Sequence, residues 1–297
     1  MAKGVTEQII ESQAWLDDVA EVVQPPINAA FEAGGEAGRV AKDFLHGVWL
    51  GHPLHPVLTD IPIGAWTMAQ VFDVASIAQG GDKSLDQAAD IALGVGIVAA
   101  VGAATTGIAD WSEARQAGTL RRMGLAHGLL NAAGLTLNIV SLLMRQKNSG
   151  GQRRVARAFS AAGYLTSATA AYVAGELVYN HGMAVSRNAF VEEQEHFRDV
   201  ADVRELDDGK MRSYDVGDTR VALVKHEDGI HAFGAVCSHM GCDLAEGDLD
   251  GHTVTCNCHG SQFDIRDGSL IHGPATDPVP GFDVKTQIGR VLVRVRD

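Results

Sequence analysis

Cys237-Ser238-His239-Met240-Gly241-Cys242 and Cys256-Asn257-Cys258-His259-Gly260-Ser261 contain all four cysteines of this 297-residue chain. The first box holds a Cys-x-His pair and the second a Cys-x-x-His pair, with sixteen residues between them. Paired thiolates and imidazoles at this spacing indicate a [2Fe–2S] cluster in which sulfur holds one iron and nitrogen the other. The last third of the chain is therefore predicted to transfer single electrons.

These boxes resemble the Rieske iron–sulfur family, as do the Gly-Ser pair that ends the second box and the later segment Gly273-Pro274-Ala275. The resemblance implies that Cys237 and Cys256 bind one iron and that His239 and His259 bind the other. It also implies that Cys242 and Cys258 form the disulfide found between the cluster loops in the quinol-oxidising branch. A zinc site is the competing interpretation, but its usual Cys-x-x-Cys or His-x-x-x-His elements are missing from both boxes.

Four further residues are expected to tune the cluster. Imidazole ligands place Rieske centres at roughly −150 to +300 mV, against about −400 mV for plant-type ferredoxins. The family resemblance implies that the Ser261 hydroxyl hydrogen-bonds a bridging sulfide, and that Gly273 and Pro274 belong to a loop covering the cluster. Phe263 stands where high-potential members have a tyrosine that bonds a cysteine sulfur. We therefore expect a potential below the top of the Rieske range.

The segments around the boxes predict a small antiparallel β domain. Strand patterns occupy residues 220–225, 230–235, 253–256, 262–265, 269–271, 282–287 and 290–295, with turn signals such as Glu227-Asp228-Gly229 between them. From Phe190 onward there are 21 acidic and 11 basic side chains, which is −10 of the chain's net charge of −13. Such a surface favours basic protein partners and argues against nucleic acid.

The region before this domain contains apolar stretches. Residues 91–109 carry no charge, and residues 124–144 carry only His127 as an ionisable group, so each is long enough to cross a membrane. Residues 57–79 and 158–178 are weaker because they include Asp60, Asp73 and Glu176. Four spans are preferred; two spans with amphipathic helices, or a soluble Ala-rich bundle, are the alternatives. The predicted fold class is α+β in two parts: an N-terminal all-α transmembrane four-helix bundle and a C-terminal all-β antiparallel Rieske-type domain.

The predicted domain boundaries follow from these patterns. Residues 1–50 are expected to form amphipathic helices, the first of them ending at Pro25-Pro26. Residues 51–187 form the membrane domain, 188–198 a linker and 199–297 the cluster domain. The segment Leu50-Gly51-His52-Pro53-Leu54-His55-Pro56 and the run from Asp60 to Trp66 resemble an uncharacterised bacterial integral-membrane family that is often fused to Rieske domains. That family has no settled activity to carry over.

Four histidines are predicted to share one face of the membrane domain: His52, His55, His127 and His181. Polar groups inside a membrane mark functional sites by default. One hypothesis is a b-type haem held by two histidines, with His55 and His127 the first choice. A second is a quinone pocket in which a histidine and a carboxylate take the quinol protons while the cluster takes an electron. The third is structural, with the histidines capping helices or bonding between spans.

We therefore predict a bacterial multi-pass membrane protein that relays electrons from quinol or a membrane haem to a redox protein. The alternatives are a membrane-tethered ferredoxin supplying an external oxygenase or reductase, and a redox sensor. A Rieske non-haem-iron oxygenase is not expected, because only 38 residues follow His259.

The sequence does not decide on which side of the membrane the cluster domain lies. The loops carry equal numbers of basic residues on both faces, and a disulfide favours the outside whereas the lack of an export signal favours the inside.

Overall fold

The computed structural model describes residues 4–114, 118–146, 150–191 and 196–296, and the chain divides into two units. The helical unit contains the chain up to Arg39 together with Leu54–His181. The β unit contains Val40–Pro53 and the chain from Gly182 onward. Of the predicted linker at 188–198, residues 192–195 lie outside the described part of the chain.

From residue 4 onward, three helices precede the apolar bundle: α1 (Val5–Glu11), α2 (Trp15–Ala33) and α3 (Gly35–His46). The expectation that a helix ends at Pro25-Pro26 is wrong, because both prolines lie inside α2. Tertiary contacts hold this helix: the buried Gln24 side chain donates hydrogen bonds to the carbonyls of Trp111 and Ala114, at 3.0 and 3.1 Å. Such contacts offset the backbone hydrogen bonds that proline removes. The break falls instead at Gly35, whose φ is +52°.

Four longer helices form an antiparallel bundle: α4 (Leu54–Ala78), α5 (Lys83–Ser112), α6 (Thr119–Arg145) and α7 (Gly150–Tyr179). Each helix packs on the next along the chain, and α7 also contacts α4. Within the described residues, α4, α5 and α6 are long and apolar enough to cross a membrane, and α7 is not among them. The predicted all-α region is confirmed, and the number of spans stays a prediction.

Small residues allow the closest helix contacts in this bundle. A Cβ on Gly134 of α6 would lie 3.0 Å from the Gly163 carbonyl of α7, and a Cβ on Gly163 would lie 2.9 Å from the Gly134 carbonyl. The two backbones therefore touch, as in small-residue packing between membrane helices. Large apolar side chains point outward instead: Val98 is 75% exposed and Val74 is 66% exposed.

A charge network joins one end of the bundle. Arg145 at the end of α6 has no exposed side-chain surface and donates to Asp73 and to Asp90, each at 3.0 Å from Nη1. Arg157 and Arg153 of α7 complete the network through Asp73, Asp86 and Asp90. Asp73, which weakens the α4 span in sequence, is thus paired inside the protein, where an unpaired charge would be costly.

In the part of the β unit that the structure describes, ten strands form three antiparallel sheets. The first sheet has the order β1–β10–β9, formed by Arg198–Asp202, Arg290–Val295 and Phe282–Gln287. The second is β2–β3–β4, formed by Met211–Val216, Thr219–His226 and Gly229–Gly234. The third is β5–β6–β7–β8, formed by Asp248–Asp250, Thr253–Thr255, Gln262–Asp264 and Leu270–His272. The seven predicted strands are confirmed, and the sequence patterns missed β1, β2 and β5.

Candidate metal centre

The first cysteine box is a tight loop that follows β4. The Cys237 amide donates to the Cys242 carbonyl at 2.9 Å, and the Gly241 amide donates to the Cys237 carbonyl at 2.9 Å. Gly241 has a φ of +83°, a conformation that favours glycine. The loop therefore turns back on itself with the side chain of Cys237 inside it.

The second box, after β6, repeats this backbone pattern. The Cys256 amide donates to the Ser261 carbonyl at 2.8 Å, and the Gly260 amide donates to the Cys256 carbonyl at 2.9 Å. Gly260 also has a φ of +83°. The two boxes are thus equivalent loops, each with a cysteine at its base and a glycine four residues later.

The sulfurs of Cys237 and Cys256 face each other in the core, and each residue is only 2% exposed. Their mutual hydrogen bond lowers the pKa of Cys256 to about 6 and raises that of Cys237. Backbone amides also point at both sulfurs: those of His239 and Met240 at the first, and those of Cys258 and His259 at the second. The pair shares a proton that a cation would displace, and the amides favour negative charge on sulfur.

The two box histidines lie side by side. The rings of His239 and His259 have centroids 4.9 Å apart and are nearly perpendicular, at 85°. Burial, together with the smaller effects of the charges of His259, His46 and Arg187, lowers the pKa of His239 to about 3. Its Nδ1 is buried and has no hydrogen-bond partner in the described part of the chain. A neutral imidazole with a buried, unpaired nitrogen is suited to bind a metal. The two cysteines and two histidines therefore fit a [2Fe–2S] cluster.

A disulfide joins the two loops, as the family resemblance implied. Cys242 and Cys258 are bonded, with their Cα atoms 6.6 Å apart. The Cys256 sulfur lies within 4.8 Å of both disulfide sulfurs. The crosslink therefore fixes the separation of the loops directly beside one of the predicted ligands.

The four predicted tuning residues lie around the same loops. Ser261 is fully buried, and its Oγ accepts a hydrogen bond from the Ala275 amide at 3.0 Å, which leaves the hydroxyl proton to be donated elsewhere. Phe263, also fully buried, belongs to the same core cluster as Cys237 and Cys256. Gly273 and Pro274 precede Ala275 in the loop after β8, so this loop is tied to the second box through Ser261.

A chain segment far away in sequence packs on this covering loop. The Asp43 carboxylate accepts hydrogen bonds from His272 Nδ1 at 2.6 Å and from the Gly273 amide at 3.0 Å. A Cβ on Gly273 would lie 2.9 Å from Cγ2 of Val48, so the approach needs glycine. His46 is 3% exposed, and its charge acts on His239. Sequence patterns missed Asp43 and His46, because nothing local in residues 40–53 signals a contact with residues 272–273.

Two of the four membrane-domain histidines come together. The rings of His55 and His127 have centroids 6.2 Å apart and are perpendicular. Each donates its Nδ1 proton to a backbone carbonyl at 2.9 Å, from His55 to Ala103 and from His127 to Ala170. His127 Nε2 then accepts a hydrogen bond from Asn131 Nδ2 at 3.1 Å.

The other two histidines have different surroundings. His181 Nε2 lies 3.6 Å from Glu7 Oε1 of α1. His52 is exposed in the β unit, where its Nδ1 donates to the carbonyl of Pro53 at 2.9 Å. The structure thus singles out His55 and His127 from the predicted set.

Two family models match the chain in sequence. Residues 196–283 match the model described as Rieske [2Fe-2S] domain, and residues 51–187 match the model described as Predicted membrane protein (DUF2231). The two matched regions do not overlap. They contain all four box cysteines and all four predicted membrane-domain histidines.

Individual relatives match the last third of the chain. The ferredoxin component of the alkene monooxygenase system of Xanthobacter autotrophicus is 41% identical over 97 residues, which are 32% of this chain and 78% of that protein. The cytochrome b6-f complex iron-sulfur subunit of Chlorobaculum tepidum is 30% identical over 96 residues, 32% of this chain and 52% of that protein. Among solved structures, the ferredoxin of carbazole 1,9a-dioxygenase from Nocardioides aromaticivorans IC177 is 27% identical and covers 34% of this chain and 100% of its own, with a TM-score of 0.33.

Proposed function

The chain belongs to the Rieske [2Fe–2S] family, and from this premise we propose that it is a membrane-bound carrier that relays single electrons to a redox protein. The observation that supports this most is the pairing of two buried cysteines and of two imidazoles in the two boxes. The Nδ1 of one of these imidazoles, that of His239, is buried without a hydrogen-bond partner among the described residues. A [2Fe–2S] cluster held by such ligands takes up and releases one electron at a time.

The proposed ligand roles follow from the arrangement of the loops. Cys237 and Cys256 hold one iron, because their sulfurs are buried, mutually bonded and faced by backbone amides. His239 and His259 hold the other, and they are the more exposed pair. The sulfur side is thus shielded from water while the imidazole side faces outward, which makes the histidines the edge at which a partner exchanges electrons.

The partner is proposed to be a protein with a basic surface. From Phe190 onward, acidic side chains outnumber basic ones by 21 to 11. A net negative charge attracts basic partners to this domain, and salt screens that attraction. Partner reduction should therefore slow as ionic strength rises.

We propose that the electron donor is quinol or a haem bound at His55 and His127, within a bacterial multi-pass membrane domain. The Nδ1–carbonyl hydrogen bonds fix both imidazoles in the tautomer that presents Nε2, as metal-binding histidines require. Asn131 bonds the Nε2 of His127, so a haem would need this amide to turn away. A quinol that gives its hydroxyl proton to His127 needs the same lone pair of Nε2, so it too requires Asn131 to turn away.

A tethered ferredoxin is the second candidate, and the 41% identity to a monooxygenase ferredoxin component favours it. In that case the helices are only an anchor and the electron arrives from a soluble reductase. The Cys242–Cys258 disulfide supports the first candidate instead, since the resemblance links it to the quinol-oxidising branch.

One experiment separates these functions. Membranes containing the protein are mixed with a reduced short-chain quinol, and the cluster is followed by electron paramagnetic resonance (EPR) while optical spectra report haem. Cluster reduction that is lost in His127→Ala and kept in Thr136→Ala, an exposed position on the same helix, supports the donor site. If the cluster is intact but quinol does not reduce it, and no haem band is seen, the tethered ferredoxin remains as the function.

A further inference from the structure

A second group of metal-binding side chains lies in the β unit and shares no residue with the cysteine boxes. His226 is at the end of β3, Asp228 is in the following turn, His231 is on β4, and His252 is in the turn between β5 and β6. One ligand atom from each of these four residues lies within 4.8 Å of the other three. Two separate hairpins, β3–β4 and β5–β6, thus bring their polar atoms together.

The Asp228 carboxylate is the centre of this group. Its Oδ1 accepts hydrogen bonds from His226 Nδ1 at 3.0 Å and from His231 Nε2 at 2.8 Å. Its Oδ2 accepts one from His252 Nε2 at 3.0 Å. The ring centroids lie 4.5 to 6.2 Å apart, and the histidine side chains are between 16% and 32% exposed.

The strand register explains why these residues meet. In the β3–β4 hairpin, His226 pairs with Gly229 and Val224 pairs with His231. His226 and His231 are therefore diagonal neighbours on one face of the hairpin, which brings their side chains within reach of each other. The turn carrying His252 is held by a hydrogen bond of 2.9 Å from the Ile265 amide to the His252 carbonyl.

We propose that His226, Asp228, His231 and His252 form a second metal site, which binds a divalent transition cation such as Zn²⁺. Three imidazoles and one carboxylate are a complete ligand set for tetrahedral zinc. Tetrahedral zinc with ligand distances of roughly 2.0–2.1 Å requires ligand atoms about 3.3 Å apart. The four ligand atoms lie within 4.8 Å of one another, so side-chain rotations can close the site. The alternative, a carboxylate that only accepts three hydrogen bonds, does not explain why three imidazoles gather at a half-exposed aspartate that water can solvate.

The bound cation would join two parts of the β unit. His226 and His231 belong to the β2–β3–β4 sheet, whereas His252 belongs to the sheet that carries the second cysteine box. β6 ends at Thr255, directly before Cys256. The site would therefore fix the start of the second cysteine box relative to the β3–β4 hairpin. Zinc would thus stabilise the cluster domain from outside the cluster.

The test measures zinc on the full-length, untagged, cluster-loaded protein in detergent. After treatment with a chelator, the protein is dialysed against Zn²⁺, and zinc and iron are counted together by elemental analysis. We expect one zinc per chain with the iron content unchanged, and a higher Tm with zinc than without. His231→Ala and His252→Ala should each weaken zinc binding at least tenfold. His196→Ala, which removes an exposed histidine of the same domain, should bind zinc as the unaltered protein does.

The cluster EPR signal shows that each variant is folded. Zinc binding that is equal in His231→Ala, His252→Ala and the unaltered chain would overturn the proposal. It would equally be overturned if no zinc is retained, or if zinc enters only as iron is lost, since that would place the cation at the cysteine boxes.

Discussion

The Asp43 carboxylate accepts a hydrogen bond from His272 Nδ1 at 2.6 Å, although the two residues are 229 positions apart in sequence. Both side chains are mostly buried, at 17% and 21% exposed. The second Asp43 oxygen accepts from the Gly273 amide, the residue before Pro274. A segment from before the helical bundle therefore holds the loop that was predicted to cover the cluster.

Asp43→Ala should release this segment from the covering loop. A hydrogen bond to a charged group contributes about 1.5–3 kcal/mol, and the change removes two bonds to one carboxylate. Hydrogen–deuterium exchange should become faster in residues 40–50 and at the Gly273 amide. Asp208→Ala is the control, because its partner Lys225 forms an exposed ion pair. Equal exchange in the two variants would show that Asp43 does not hold the loop.

Phe263→Tyr should raise the reduction potential of the cluster. The ring is fully buried in the core cluster that contains Cys237 and Cys256, and we expect a new hydroxyl there to donate to a cysteine sulfur. A hydrogen bond worth about 1.4 kcal/mol more in the reduced state corresponds to a rise of about 60 mV for one electron. Redox titration measures it. Phe282→Tyr is the control and should leave the potential unchanged, because Phe282 is buried in a separate core cluster with Val291 and Val293 that contains no box cysteine.

Ser261→Ala should act in the opposite direction and lower the potential by a similar amount. The Ser261 oxygen is occupied by the Ala275 amide, so its proton is directed to another acceptor. The change removes that donor and also loosens the covering loop. Ser213→Ala is the matched control, because Ser213 lies on β2 and its hydroxyl donates to Asp243. A potential that does not fall in Ser261→Ala would remove this residue from the tuning set.

Replacing Cys242 and Cys258 together by serine should leave the cluster in place but make it less stable. A crosslink over about 15 residues restrains the unfolded chain by about 3 kcal/mol. The visible absorption of the cluster should therefore disappear at a lower temperature in the double variant. Mild reductant should reproduce this loss in the unaltered protein. Unchanged thermal bleaching in both experiments would mean that the disulfide does not support the loops.

Arg145→Met should destabilise the helical unit strongly. It removes the buried cation between Asp73 and Asp90, which keep only Arg157 and Arg153 as partners. Breaking a buried ion pair costs up to about 3–5 kcal/mol. Thermal unfolding in detergent, followed by circular dichroism of the helices, measures the effect. Arg154→Met, at an exposed position on α7, should have little effect. A similar loss in both variants would argue that the network contributes nothing specific.

The cysteine boxes could be predicted from sequence because ligation by Cys-x-His and Cys-x-x-His is local. The spacing carries the loop geometry with it, as the shared φ of +83° at Gly241 and Gly260 shows. The disulfide was predictable through the family resemblance. Helix α2 was not, since the contacts of Gln24 with a distant helix outweigh the stop signal of Pro25-Pro26.

Contacts between distant segments could not be predicted in this way. Asp43 and His272 carry no shared pattern, and their meeting depends on the folded positions of both. The same holds for His231 and His252, whose contact can be predicted only when the strand registers are known. Sequence spacing can predict a site whose ligands lie within one loop. A site whose residues come from different strands or helices can be found only once the folded structure is known.

The proposed electron transfer depends most directly on iron at the paired boxes. Iron, acid-labile sulfide and the EPR spectrum of the reduced protein should be measured for the purified chain, for His239→Ala and for His196→Ala. We expect about two irons per chain and a Rieske-type signal in the unaltered protein and in His196→Ala, with the signal absent in His239→Ala. A colourless protein holding zinc at the cysteine boxes, or a signal that survives in His239→Ala, would contradict the account.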